Sequence, residues 1–155
     1  YAQTWQPPWG QFRGDAQALV TLQTEAGARV LYEGAKTNAV GLNSWGAEYI
    51  RAECERATLI LSHGRIERFD YDPARRQPDR AEGTGVPVPL LEQPKWANTW
   101  LIEQFVRWLD GGPAMETEVE ANLQSMALVF AAIESSRTGQ PVDVHAFLNA
   151  ARAQA

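Results

Sequence analysis

The sequence predicts an α+β fold, in which a mostly antiparallel open sheet has helices on one face and leaves the other face free. Strand patterns fill the first half of the chain and helical patterns fill the second, and this segregated order is typical of the α+β class. Alternating apolar and polar residues at 15–25 and 28–36 flank the tight turn Ala26-Gly27, which predicts a hairpin. A 3.6-residue periodicity over 118–138 predicts one long helix. The 155 residues fit a single domain, 1–155.

The remaining strands follow from alternation and turn residues. A second hairpin is expected at 57–62 and 65–71, turning at His63-Gly64. The proline-rich stretch 72–94 predicts a surface excursion with a short edge strand at 86–91, since proline cannot donate to a ladder. Two further strands are predicted before the second hairpin, at 1–5 and 47–55.

Three helices are predicted, at 95–110, 118–138 and 145–152. Thr117 and Glu120 have the spacing of a capping box at the start of the long helix, and Gly139 favours its end. Its large apolar residues recur on one stripe that we expect to be buried: Val119, Leu123, Met126, Phe130 and Ile133. A second face of small residues should let another layer approach closely. In the helix at 95–110, periodicity places three tryptophans in the core: Trp96, Trp100 and Trp108.

Residues 122–144, NLQSMALVFAAIESSRTGQPVDV, resemble the C-terminal region of the Gfo/Idh/MocA family of NAD(P)-dependent sugar and cyclitol oxidoreductases. In that family a helix of the form N-L-x-x-x-A-x-V-x-A-A-I-x-S-x-x-T-G precedes a P-V-x-V extension. Residues 14–34, 43–61 and 100–112 are similar to other parts of the same domain. The chain departs from the family at Ala57, where a glycine is usual.

The resemblance implies which parts of such an enzyme are absent. The Gly-rich G-x-G-x-x-G turn of a Rossmann domain does not occur in this sequence. Neither does the family's E-K-P motif with its catalytic lysine, nor its D-x-x-x-H pair. The chain is therefore expected to be most of a C-terminal substrate and oligomerisation domain without its Rossmann domain. We expect no catalytic or cofactor-binding residue here and no activity alone, with NAD or NADP bound only by the full-length protein.

Loop tryptophans suggest where a sugar-like small molecule would bind. Flat aromatic faces beside amides suit sugar rings, which present apolar C–H patches and hydroxyls. The resemblance places the loop matching 36–45 near the substrate pocket. An equally weighted alternative is that these tryptophans pin loops to the core. The candidate substrate-binding residues are Trp5, Trp9, Lys36, Asn43 and Trp45.

Composition excludes several other classes. The formal charge of −5 argues against a nucleic-acid partner, which needs a basic face. No apolar run approaches the roughly 20 residues of a membrane span. Cys54 is the single cysteine, predicted to be a buried and inert thiol, and with two histidines it offers no metal-ligand spacing. A cytoplasmic location is expected. The chain opens on Tyr1, which is what an excised domain or a processed terminus would look like.

Apolar residues on both faces of the strands predict a homo-oligomer. The helices can cover only one face, and a monomer seldom exposes a large apolar patch. The second face should carry some of Leu19, Leu31, Ile50, Ile60 and Ile66. Two alternatives stay open: a stand-alone small-molecule-binding module, and a purely structural dimerisation domain.

Overall fold

The computed structural model describes residues 1–37, 48–74, 76 and 80–154, and within them the chain has seven strands and three helices. Strands precede helices and every strand pair is antiparallel, which confirms the α+β class and the open sheet. The chain divides into two compact units, each with one sheet: Tyr1–Gly41 with Lys95–Ala155, and Leu42–Pro94. The single-domain organisation stays a prediction.

The first unit is built on a three-stranded sheet of β1 (Ala2–Trp5), β2 (Gln17–Gln23) and β3 (Arg29–Ala35), in that order. β2 and β3 form the predicted hairpin. Its turn needs the left-handed backbone that glycine adopts without strain, and Gly27 has φ 84°. In β2 the expected alternation is confirmed, because Val20 and Leu22 are half-buried whereas their neighbours Leu19, Thr21 and Gln23 are exposed.

The long helix α2 spans Val119–Thr138 and ends, as predicted, at Gly139, whose φ is 68°. Its cap differs from the predicted box of Thr117 and Glu120. The Glu118 carboxylate instead accepts hydrogen bonds from two backbone N–H groups of the first turn, at 2.9 and 2.5 Å. The prediction is wrong because a carboxylate one residue further along reaches the same unpaired N–H groups.

The buried side of α2 carries only small residues, at four-residue spacing: Ala127, Ala131 and Ser135. This side packs against β1. The backbone N–H of Ala2 donates to Ser135 Oγ, and that of Thr4 donates to Ser136 Oγ, both at 2.9 Å. Two serines of α2 therefore close the outer edge of β1.

The large apolar stripe of α2 is mostly exposed, so its predicted burial is wrong. Val119 is 71% exposed, and Met126, Phe130 and Ile133 are 49–51% exposed. A side-chain oxygen of α2 that bonds the backbone of β1 brings the two elements too close for large residues. The small face therefore fits the contact, and the bulky stripe points elsewhere.

Helix α1 spans Ala97–Leu109, and none of its residues is buried. Trp96 and Trp108 are exposed and Trp100 is half-buried, so their predicted core position is wrong. Periodicity shows which residues share a face, but it does not show that the face is covered.

One carboxylate on α1 lies between two cations. Glu103 forms ion pairs with Lys95 at 2.8 Å and with Arg107 at 2.5 Å. The hydrogen bond from Lys95, aided by the charges of both cations, lowers the pKa of Glu103 below its ordinary value. The charged form of Glu103 is therefore favoured by the fold.

The closing helix α3 spans Val144–Arg152 and packs on α2. Asp143 caps it, accepting from the N–H of Ala146 at 2.9 Å. At its other end Arg152 reaches the Glu120 carboxylate of α2 at 3.1 Å. The predicted docking residues of α3, Phe147 and Leu148, are half-buried.

The second unit holds a four-stranded sheet of β4 (Ile50–Glu53), β5 (Ala57–Ser62), β6 (Arg65–Asp70) and β7 (Val86–Val88), in that order. The second hairpin and the short edge strand are thereby confirmed. The strand predicted at 47–55 corresponds to β4, which is shorter than expected and pairs with β5.

Register places Ile50 and Ile66 on one face of this sheet and Ile60 on the other, so only two of these three share a face, as an expectation for some of them allows. One sequence expectation for the second unit needs correction. Cys54 is exposed rather than buried, because it follows the end of β4 and begins the turn to β5.

Candidate functional site

The predicted sugar-binding residues that the structure describes lie at one end of the three-stranded sheet. Trp5, the last residue of β1, lies opposite Gln17 of β2, which in turn lies opposite Ala35 of β3. Residues opposite one another in antiparallel strands point to the same face. Trp5 and Gln17 therefore share a face at this end.

The loop after β1 brings Trp9 to the same end. Its indole Nε1 donates to the carbonyl oxygen of Thr37 at 2.9 Å, and Gln17 Nε2 donates to that same oxygen at 3.0 Å. The loop itself is braced by Gln6, whose Nε2 donates to the carbonyl of Phe12 at 2.9 Å. One carbonyl thus accepts from two side chains that belong to a loop and a strand.

These contacts bear on the two interpretations of Trp9. Its hydrogen bond ties the loop to the end of β3, which is the pinning role. Trp9 is nevertheless 55% exposed, and Trp5 is 37% exposed. A residue whose N–H is bonded and whose ring still meets solvent can both hold a loop and offer an apolar face.

Lys36 lies at this end of the sheet but on its other face. Its backbone N–H donates to the carbonyl of Ala16 at 2.8 Å, so the ladder continues one residue beyond β3. Alternation then turns Lys36 away from the face that Ala35 and Trp5 share. Lys36 is exposed. The other two candidates, Asn43 and Trp45, lie outside the described residues.

Sequence reasoning missed the polar atoms nearest to Trp9. Thr37 is only 7% exposed, and its Oγ1 is buried without a hydrogen-bond partner among the described residues, as is Gln6 Oε1. Buried polar atoms usually have a partner. Gln6 Oε1 and Thr37 Oγ1 are exceptions, and because both atoms are buried, a small molecule bound at the surface does not reach them. Their role depends on tertiary position, so no local pattern could have identified them.

A separate open groove of about 720 Å³ lies in the second unit, along the β5–β6 hairpin and the segment before β7. It is lined by polar residues near the hairpin turn and by apolar ones towards β7. Glu67 accepts from the backbone N–H groups of Gly83 and Gly85, at 2.8 and 3.2 Å, and so holds that segment over the sheet.

The groove also holds a serine–histidine pair. Ser62 Oγ and His63 Nδ1 are 2.9 Å apart. Within the described residues no carboxylate contacts the imidazole, so the third member of a triad is missing. His63 has φ 50° and Gly64 has φ 72°. A two-residue hairpin turn of type I′ requires a positive φ at both central residues. The pair is explained by the turn.

Other chemistry is limited in the part of the chain that the structure describes. No group of three or more His, Cys, Asp or Glu residues there could hold a metal ion. Among its helices, none is both long enough and apolar enough to cross a membrane.

Comparison with known proteins found a longer relative. The chain is 50% identical over 152 residues to the uncharacterized protein y4oX of Sinorhizobium fredii (strain NBRC 101917 / NGR234). That match covers 98% of this chain but 42% of y4oX, so the chain spans less than half the length of this relative. No family model matches the chain, and no solved structure matches it significantly.

Proposed function

We propose that this chain is the C-terminal substrate-binding and oligomerisation domain of a cytoplasmic NAD(P)-dependent oxidoreductase that acts on a sugar or cyclitol, of the Gfo/Idh/MocA type. The observation that carries the proposal is the long ungapped resemblance of residues 122–144 to that family. In support, α2 runs through this segment and Gly139 ends it at the position of the motif's glycine.

The length of y4oX supports the same proposal. Since 152 residues make up 42% of it, about 210 residues of y4oX have no counterpart in this chain. Domains are typically 50–250 residues long, so that remainder has room for a dinucleotide-binding domain. The chain has no Gly-rich phosphate-binding turn of its own, and the proposal assigns that part to the remainder.

In the proposed enzyme this chain binds and orients the substrate. The exposed rings of Trp5 and Trp9 would pack on the C–H face of a sugar-like ring. A nicotinamide, held by residues outside this chain, would supply the hydride-transfer chemistry. This chain's own part would be to hold the hydroxyl-bearing carbon of the substrate in place.

The proposal is tested with purified full-length y4oX. The enzyme is incubated with NAD⁺ or NADP⁺ and a panel of aldoses and inositols, and nicotinamide reduction is followed by absorbance. We expect turnover with at least one polyol, and none when y4oX is trimmed to the part that matches this chain. Absence of turnover across the panel, together with absence of nicotinamide binding, would overturn the proposal.

A second candidate function is a stand-alone small-molecule-binding module without catalysis. The open groove along the β5–β6 hairpin is where such a module would hold its ligand. The two candidates differ in what the isolated chain does. A stand-alone module binds its ligand tightly without a nicotinamide, whereas a substrate domain binds weakly until the cofactor domain is present.

A further inference from the structure

The two edges of the first unit's sheet are treated differently. At the β1 edge, the outward N–H groups of Ala2 and Thr4 donate hydrogen bonds to serine hydroxyls of α2. At the other edge, β3 is the last strand in the order β1-β2-β3. Its first five residues, 29–33, are all exposed. An exposed edge strand can serve as a template for another strand.

Hydrogen-bond parity shows which groups of β3 point outward. Thr24 N–H donates to Ala28 and Lys36 N–H donates to Ala16, and both pairs belong to the β2–β3 register. Directly opposite residues alternate between bonded and non-bonded pairs. The even-numbered residues of β3 therefore bond to β2. The odd-numbered ones direct their N–H and C=O groups away from it, and in the exposed stretch 29–33 these are Arg29, Leu31 and Glu33.

We propose that β3 pairs antiparallel with β3 of a second copy, on a two-fold axis through Leu31, to form a continuous six-stranded sheet. In this register Arg29 lies opposite Glu33 of the partner subunit, and the reverse pair follows by symmetry. The outward groups of all three residue pairs meet, which gives about six backbone hydrogen bonds. Leu31, 76% exposed in one copy, meets its own counterpart.

Charge selects this register from its neighbours. An axis through Arg29 or Glu33 places like charges opposite each other, which is destabilising. An axis through Val30 or Tyr32 places one charge opposite Leu31. Within the part of the chain that the structure describes, neither Arg29 nor Glu33 has an ion pair or side-chain hydrogen bond, so both are free for the partner copy.

The contact is small, and this sets the expected strength. A five-residue edge buries less than the roughly 1,200 Å² of a standard interface, so we expect a Kd on the order of 10–100 μM. This edge contact does not rest on the proposed oxidoreductase function. It also differs from a face-to-face dimer, which would use Leu19 of β2 as well as Leu31.

The test uses sedimentation velocity over a concentration range that spans the expected Kd. The unmodified chain should dimerise. Arg29→Glu and Glu33→Arg should each weaken self-association roughly tenfold, since two attractive pairs become repulsive. An equimolar mixture of the two variants should recover dimer, as should the double variant R29E/E33R. Arg13→Glu, an exposed loop change, is the charge-matched control. Circular dichroism checks that each variant is folded.

Three results would overturn the proposal. The first is a monomer at all concentrations, which would mean that the charges of Arg29 and Glu33 prevent strand pairing at this edge. The second is self-association that is unchanged in both single variants. The third is a mixture of the two variants that stays monomeric. Leu19→Arg separates the two dimers: it should leave an edge dimer intact and break a face-to-face one, whatever the enzyme assay shows.

Discussion

At the scale of single residues, polar side chains that bond to backbone groups hold the candidate site together. Trp9 and Gln17 both donate to the carbonyl of Thr37. Sequence analysis selected Trp9 because of its ring, whereas the structure also shows a role for its N–H. Phenylalanine could not fill that second role, since its ring carries no hydrogen-bond donor.

Replacing Trp9 by phenylalanine separates the two roles. The variant keeps an aromatic face but loses the hydrogen bond to Thr37, so we expect a loss of about 0.5–1.5 kcal/mol in unfolding free energy. Urea unfolding of Trp9→Phe beside Trp9→Ala measures this. If ring stacking holds a sugar, Trp9→Phe keeps most of the binding and Trp9→Ala loses it. Equal binding by all three chains would remove Trp9 from the site.

Glu103 gives the chain a pH-dependent contribution to stability. Its pKa is lowered in the folded state by Lys95 and Arg107, so its contribution is present above the unfolded pKa of about 4.3. It is lost as pH falls through the folded pKa. We expect Glu103→Gln to be less stable than the unmodified chain at pH 7 and nearly equal to it at the acid end.

Urea unfolding of both chains across this pH range tests the expectation. Glu116→Gln is the matched control, because Glu116 forms no ion pair among the described residues. A constant difference between Glu103→Gln and the unmodified chain at all pH values would contradict the assignment.

At the scale of elements, the contact between α2 and β1 organises the first unit. The buried Ser135 hydroxyl accepts from the N–H of Ala2 and donates to the carbonyl of Gln140 at 2.6 Å. Ser135 is only 2% exposed, so both backbone groups depend on it. Serine hydroxyls of the helix therefore satisfy backbone N–H groups that a neighbouring strand would otherwise satisfy along this edge.

Removal of that hydroxyl should be costly. Ser135→Ala leaves a buried N–H without an acceptor, and we expect a loss of about 1–3 kcal/mol in unfolding free energy. Ser125→Ala, on an exposed position of the same helix, should change it little. Thermal and urea unfolding of the two variants provide the comparison. Equal stability of both would show that water replaces the serine.

Local signals predicted the elements better than the contacts between them. The first hairpin followed from alternation around Gly27, and the end of α2 from Gly139, because backbone conformation there depends on nearby residues. The buried face of α2 followed in part: Ala127 and Ala131 belong to the small face that was expected to let another layer approach, whereas the expected burial of the large stripe is wrong. The site was predicted in part: Trp5 and Trp9 lie at one end of the sheet, but Lys36 is on the other face. Thr37 carried no local signal.

At the scale of the whole molecule, the chain leaves much apolar surface open. In the first unit Leu19 and Leu31 share the face of the sheet that Trp5 also occupies. Leu31 lies on this face and at the β3 edge, so it belongs to both proposed contacts between copies. The predicted homo-oligomer through the open face remains a prediction.

Leu31→Arg should therefore abolish association by either route. A buried arginine without a partner is unfavourable at an interface core, and two arginines would meet on the two-fold axis. Light scattering at increasing concentration should show a monomer of about 17.2 kDa for this variant and a larger species for the unmodified chain. A monomer in both cases would mean that neither surface joins copies of this chain.

The proposed function requires a nicotinamide site that this chain does not supply. Isothermal titration of NADH and NADPH into full-length y4oX, and into this chain alone, tests it most directly. We expect one stoichiometric site in y4oX, with a Kd on the order of micromolar, and no heat of binding for this chain. A full-length y4oX that binds neither nucleotide, or a site in this chain by itself, would contradict the claim.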